Sequence, residues 1–359
     1  MRQVPERLAG VPIGLITAGI LAMAFMGFAG LGGCARQDDG QRLTATFYAM
    51  GGIPVHVTTE GADRGTLEQA VEEYRTEIQA LEAELSMHRA NSALSRAAQS
   101  DGKPVALSMR SARLVEQALA LAQETGGAFD PTIGPLVHLW RESLQASRIP
   151  ADVAIRAARK TTGCHLVHLD RERDPPTLAL DRGARLDLGG IAKGYAVDRS
   201  IALLQSLGIK HAIVTAGGDS RIIGDRMGRP WMVGIRDPRK SGAVSGVIPL
   251  TDSALSTSGD YERYFIEDGK HYHHILNPGT GDSARELRSV SVLGPDATTT
   301  DALSTSIFVL GLAKGMALVE TLPDIETIII DQAGKMHYSS GLLSTPERSS
   351  DTAKNINNN

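Results

Sequence analysis

Apolar positions along the chain recur in two rhythms. Leu67, Val71, Tyr74, Ile78, Leu81 and Leu85 return every three or four residues, which predicts one stripe of a long amphipathic helix. Thr66 with Gln69 three positions on has the form of a capping box and sets the expected start there. Ser86-Met87-His88 ends that pattern, and residues 91–96 read as polar loop or short helix. A second helix is expected over about 110–124, stopped by Gly126-Gly127. Ahead of both, 43–59 reads as a strand broken at Met50-Gly51-Gly52. The second half alternates in strand fashion over 231–236, 246–250, 254–258 and 288–293, with a hairpin over 264–275 about Asp268-Gly269. A helix over 299–310, a helical piece over 318–322 and a closing hairpin from 327–331 and 336–339 complete the pattern.

The stretch 186–219 organises the rest. It opens strand-like around Asp187, passes through Gly189-Gly190, and continues as a helix with Val197, Ile201 and Leu204 on one side and Gly208 as its stop. A β-branched run, 211–215, then leads to Gly217-Gly218-Asp219. Glycine-rich turns at a helix start bring backbone N–H groups close to phosphates, and Lys193 adds a positive charge. An ordinary βαβ unit with turn glycines would look the same. Upstream, Gly127 to Pro135 is dense in proline and glycine and holds Phe129 and Asp130 in a rigid loop. In the 299–310 helix, Asp301 and Thr305 are one turn apart, so a carboxylate and a hydroxyl share a face and suit Mg²⁺. Helix capping by Thr298-Thr299-Thr300, with Asp301 complementing the dipole, accounts for the same residues.

The N-terminus changes the picture. Arg2 and Arg7 precede an uncharged apolar run, 8–33, ending Leu31-Gly32-Gly33-Cys34. That pattern predicts a signal peptide over 1–33 and lipidation of Cys34, a tether over 34–42, one domain over 43–344 and a disordered 345–359 tail. An uncleaved membrane helix is the alternative. Either way the chain is expected on the periplasmic side, held at the inner or the outer membrane. Cys164 is the one cysteine besides Cys34, so no internal disulfide is expected. A net charge of −4 without a basic block argues against nucleic-acid binding.

Taken in order, several segments resemble the ApbE family of flavin transferases. They are Gly127-Ala128-Phe129-Asp130-Pro131-Thr132, Asp187-Leu188-Gly189-Gly190-Ile191-Ala192-Lys193-Gly194-Tyr195, Gly217-Gly218-Asp219, Thr257-Ser258-Gly259-Asp260-Tyr261, His274-Ile275-Leu276-Asn277-Pro278 and Asp301-Ala302-Leu303-Ser304-Thr305. The resemblance implies an α+β, T-fold-related architecture of mixed sheets with flanking helices and the flavin in the groove between halves. It implies Mg²⁺ on the Gly190 carbonyl, Asp301 and Thr305, and FAD, the substrate, on Met50, His88, Ala128, Phe129, Asp130, Asp187 and Lys193. His274 matches the base that takes the proton of the target hydroxyl, although His273 stands beside it. The implied reaction moves FMN from FAD to a Thr or Ser of an exported or membrane redox-complex subunit and expels AMP. His88 stands where an aromatic is usual, Gly52 replaces a Thr after Met-Gly, and Ala97-Ala98 stands where Asn is common. An FAD pyrophosphatase and a non-catalytic FAD-binding lipoprotein are therefore the alternatives. Cys164, His165 and His168 do not have metal-site geometry, Trp140 and Trp231 read as core, and Asp130 and Asp219 fit turn-stabilising roles as well as catalytic ones.

Overall fold

The computed structural model describes residues 42–343 except Ser241. The expected signal peptide, Cys34, the tether up to residue 41 and the 345–359 tail lie outside the described residues.

A hairpin comes first: β1 (Arg42–Ala49) and β2 (Ile53–Glu60) turn on Met50, Gly51 and Gly52, all at positive φ. α1 (Arg64–Leu85) buries Leu67, Ala70, Tyr74, Ile78 and Leu81 as its stripe predicts. Its cap is three residues earlier than expected, at Asp63 instead of Thr66. The Asp63 carboxylate accepts from the Thr66 amide at 2.9 Å and from the Thr66 hydroxyl at 2.5 Å, so Thr66 donates to a cap instead of being one. α2 (Ala93–Gln99), β3 (Val105–Ala106) and α3 (Met109–Glu124) follow, both helices capped by serines. α4 (Gly134–Ala146) and α5 (Asp152–Arg159) are helices that no apolar stripe announces. β4 (Val167–Asp170) and β5 (Thr177–Leu180) join β3 in a small sheet of order β3-β5-β4.

The organising stretch has no opening strand. Residues 186–190 are irregular, tied down by the Asp187 amide donating to the Pro131 carbonyl at 2.7 Å. α6 (Ala192–Ser206) then runs to Gly208 at φ 81°. β6 (Ala212–Ala216) and β7 (Asp219–Ile223) form a hairpin across Gly217-Gly218, so no βαβ unit exists here. The rest comprises β8 (Trp231–Arg236), β9 (Val244–Leu250), β10 (Ala254–Gly259), β11 (Tyr264–Glu267), β12 (Lys270–His273) and β13 (Leu287–Gly294). α7 (Ala297–Val319), β14 (Glu326–Asp331) and β15 (Met336–Tyr338) close the domain.

Eight strands make the main sheet, in the order β1-β2-β6-β7-β10-β13-β14-β15, each neighbour antiparallel. Alternation assigns the faces. Ile223 and Ala254 join the core with α1 and α6, while Ile222 and Leu255 pack with Trp231, Leu250 and Leu293 beneath the β8–β9 ribbon. α7 has the length and hydropathy of a membrane span, yet Leu303, Ile307 and Phe308 are buried against Val290, Val292 and Ile329 of the sheet. Each such side chain contributes about 1.5–3 kcal/mol by leaving water. α7 breaks at Gly311 (φ 78°), where the Glu286 carboxylate accepts from the Leu312 amide at 2.9 Å.

Candidate functional site

α6 and α7 start in contact. Gly194, in the first turn of α6, lies so close to α7 that a Cβ there would stand 2.0 Å from the Ala297 carbonyl oxygen and 2.9 Å from Asp301 Cβ. The contact has two products. The Gly194 amide donates to Asp301 Oδ2 at 3.0 Å, and Lys193 Nζ lies 2.8 Å from Asp301 Oδ1 and 2.8 Å from Asp219 Oδ2. One turn further along α6, Asp198 accepts from the Ala297 and Thr298 amides and from the Thr298 hydroxyl at 2.9, 2.8 and 2.5 Å. Asp296 caps α7 through the Thr299 amide at 2.8 Å. The threonine run is therefore not the cap, and Asp301 is engaged by α6 instead of by its own helix end.

Burial alone would lower the Lys193 pKa, but Asp219 and Asp301 outweigh it and hold the ammonium charged. Burial, followed by the Asp301 charge, pushes Asp219 up to about 7. Asp219 is turned inward: its partners are the Lys193 ammonium at 2.8 Å and the Ser256 hydroxyl of β10.

Thr305 sits one turn past Asp301, its hydroxyl 3.2 Å from Ser258 Oγ. Gly190 lies beside it: a Cβ would be 3.5 Å from Thr305 Oγ1 and 3.2 Å from the Phe129 ring. Ala128 and Phe129 are buried. Asp130 serves its turn, one oxygen accepting from the Thr132 amide at 2.8 Å and the Thr132 hydroxyl at 2.5 Å. Met50, at the β1–β2 tip, packs against the α1/α6 core, and the neighbouring Ile53 and the Lys193 stem both flank Gly217.

Asp187 accepts from the Gly189 amide at 2.7 Å. Burial raises its pKa, opposed first by the Gly189 amide and then by the Arg263 and Arg141 guanidinium charges. His88 is exposed, and Arg141 Nη1 lies 2.7 Å from its Nδ1. A guanidinium only donates, so Nδ1 accepts and the His88 proton sits on Nε2. His88 thus meets a cation at its edge, a contact the sequence does not suggest.

The two adjacent histidines separate cleanly. His273 uses both ring nitrogens on backbone, Nε2 toward the Ala284 carbonyl at 2.5 Å and Nδ1 accepting from the Ile275 amide at 3.2 Å. His274 Nδ1 is buried and has no hydrogen-bond partner. Burial, then the charges of Arg263 and Lys193, lower its pKa to about 3, so it is a free base at neutral pH. Its segment is moored by Trp140, which donates to the Gly281 carbonyl at 2.8 Å and stacks on Tyr272 at 6.0 Å.

Among the described residues no three His, Cys, Asp or Glu side chains cluster as metal ligands. His168 pairs with Asp181 at 2.9 Å, and Cys164 Sγ lies 3.7 Å from Asp130. Trp140 and Trp231 are core. The sequence reading missed Arg141, Arg263 and Asp198 altogether, since lone charged residues on ordinary segments carry no pattern.

Comparisons with known proteins agree with this arrangement. The ApbE family profile matches residues 50–329. A Treponema pallidum protein named FAD:protein FMN transferase is 33% identical over 341 residues, covering 90% of this chain and 93% of its own length. A protein of that name from Vibrio cholerae is 36% identical over 288 residues, covering 78% and 84%. Among solved structures, the ApbE protein of Thermotoga maritima superposes with a TM-score of 0.77 at 34% identity, over 84% of this chain and 98% of that one. The flavin transferase ApbE from Vibrio cholerae gives 0.72 at 30% identity, over 85% and 99%.

Proposed function

This chain belongs to the ApbE family, and from that premise we propose that it transfers FMN from FAD to a Thr or Ser hydroxyl of another protein and releases AMP. The observation that carries the reading is His274 Nδ1, buried without a hydrogen-bond partner and near enough to Lys193 to feel its charge. A neutral imidazole nitrogen kept free of other bonds suits a proton acceptor.

In the proposed reaction Met50, His88, Ala128, Phe129, Asp130 and Asp187 hold FAD. The Lys193 ammonium and the α6 N-terminus, which has no side-chain cap, present positive potential to the pyrophosphate. The Asp301 carboxylate, Thr305 hydroxyl and Gly190 carbonyl form an all-oxygen donor set that fits Mg²⁺. Mg²⁺ bound there would neutralise charge on the pyrophosphate. His274 takes the proton of the acceptor hydroxyl. The oxygen forms a bond to the FMN-side phosphorus, the bond from that phosphorus to the bridging oxygen breaks, and AMP departs with the electron pair. We extend the proposal to location: Cys34 anchors the exported chain to a membrane, where redox-complex subunits would be the acceptors.

The test mixes the purified protein with FAD, Mg²⁺ and a candidate acceptor domain. Mass spectrometry reads the acceptor and chromatography reads AMP. An FMN-sized increment with AMP, both lost with EDTA and in Asp301→Ala, supports the transferase. AMP and free FMN beside an unmodified acceptor mean a pyrophosphatase. Intact FAD throughout means a flavin carrier.

A further inference from the structure

Lys193 stands between two carboxylates at equal distance, and the two are held in different ways. Asp301 has a second partner, the Gly194 amide, and belongs to the proposed cation set. Asp219, only 1% exposed, meets the Lys193 ammonium at 2.8 Å and has the Ser256 hydroxyl of β10 beside it as its other partner. Its position is built with some care by the turn before it. Gly218 packs flush on β10, where a Cβ would lie 2.8 Å from the Thr257 carbonyl oxygen, and the Lys193 stem runs past Gly217 at 4.0 Å from where its Cβ would be. A side chain at Gly218 would press on the β10 backbone, and Gly217 stands at φ 62°, a conformation strained for any residue with a Cβ. Gly217-Gly218-Asp219 is thus a seat for an ammonium.

We propose that Asp219 is a positioning residue that anchors the Lys193 ammonium, so that Asp301 can give up its share of that ion pair to a divalent cation. The inference rests on the proposed Mg²⁺ role of Asp301. While both carboxylates hold Lys193, three charges share one buried corner and one negative charge is left over. When a cation takes Asp301, Lys193 keeps a carboxylate partner and stays where an anionic substrate would meet it. Without Asp219 the ammonium has only Asp301, and the cation must break an undivided pair.

The experiment uses Asp219→Asn, which keeps the shape and removes the charge. Calorimetric titration with Mg²⁺ alone should show affinity weakened roughly ten- to a hundredfold, the span of a charge-assisted hydrogen bond. Thermal melting in EDTA should show a midpoint equal to or above that of the unmodified protein, because the leftover buried negative charge is gone. A purely structural Asp219 would instead lower that midpoint and leave Mg²⁺ affinity alone, which overturns the inference. Lys193→Met supplies the control. In that background the Asp219 change should shift Mg²⁺ affinity by less than about threefold, since no ammonium remains to be placed. An equal shift in both backgrounds overturns the inference in favour of a direct charge effect. No Mg²⁺ binding by the unmodified protein overturns the metal reading and this inference together. Normal binding there with unchanged affinity in Asp219→Asn overturns this inference alone.

Discussion

Gly194→Ala is the most informative single change. In an exposed helix it would stabilise by up to about 1 kcal/mol through helix propensity. Here the added methyl would meet the Ala297 carbonyl oxygen at 2.0 Å and its carbon at 2.5 Å, both backbone atoms of α7. Restoring an ordinary 3.4 Å contact needs α6 and α7 to part by about 1.4 Å. Overpacking of this kind costs about 1–3 kcal/mol. The displacement also breaks the 3.0 Å bond from the Gly194 amide to Asp301, about 1.5–3 kcal/mol for a charged acceptor. Less the propensity gain, the net loss is about 3 kcal/mol. At about 2 °C per kcal/mol for a chain of this size, the melting midpoint should fall by about 6 °C. FMN transfer should fall further than stability, since Lys193 and Asp301 separate together. The assay is scanning fluorimetry beside acceptor labelling. A variant that melts at or above the unmodified protein would refute the close approach of the two helices.

Two further outcomes follow from the buried groups. Burial first, and cationic neighbours second, hold the His274 pKa near 3, below the ordinary 6.5 of an unfolded histidine, and burial holds His273 near 4. The unfolded chain therefore takes up protons that the native one refuses, so stability is full above about pH 6.5 and is lost as pH falls toward 3–4. Between pH 8 and 5 each histidine should account for about 2 kcal/mol, and His274→Asn should lose correspondingly less on acidification in urea melts. Cys164 is pushed up to about 12, by burial first and then by the Asp130 charge. Iodoacetamide at pH 8 should label its peptide far more slowly in the native protein than in urea, by mass spectrometry; equal rates would contradict the enclosure of the thiol.

The strands of the second half were legible from alternation: in β8 Trp231 and Ile235 are buried while Met232 and Arg236 are exposed, and in β13 Val290 and Val292 alternate with the small polar Ser289 and Ser291, which are themselves buried. α1 was legible from its stripe. α4 was not: it begins Gly134-Pro135, and its buried residues, Leu136 and Trp140, are too few to set a rhythm. α5 buries nothing completely. Within the site, Asp301 and Thr305 could be paired from spacing, but Lys193 and Asp301 are 108 positions apart and no local pattern couples them. Resemblance to the family supplied that link. Asp219 looked like a turn carboxylate because Gly-Gly-Asp usually is one, and only the seating of Gly218 against β10 turns it inward. His274 was chosen over His273 by the register of the family motif alone, and following their nitrogens to partners gives the physical difference between them.

The order of strands in the main sheet also governs when this chain becomes competent. Hairpins such as β1–β2 and β6–β7 close over a few residues, but β2 must find β6 and β10 must find β13 across long intervening segments. Trp140 reaches Gly281 over 141 positions, and the Lys193–Asp301 contact spans α6 to α7. High contact order of this kind makes assembly slow, because loop closure is unfavourable until the distant partners meet. The corner where α6 meets α7 joins the middle of the domain to its C-terminal third, 108 positions apart, so it forms only when that long loop closes. Any ligand that needs that corner recognises the finished fold alone, and its binding pulls the last, slowest contacts into place.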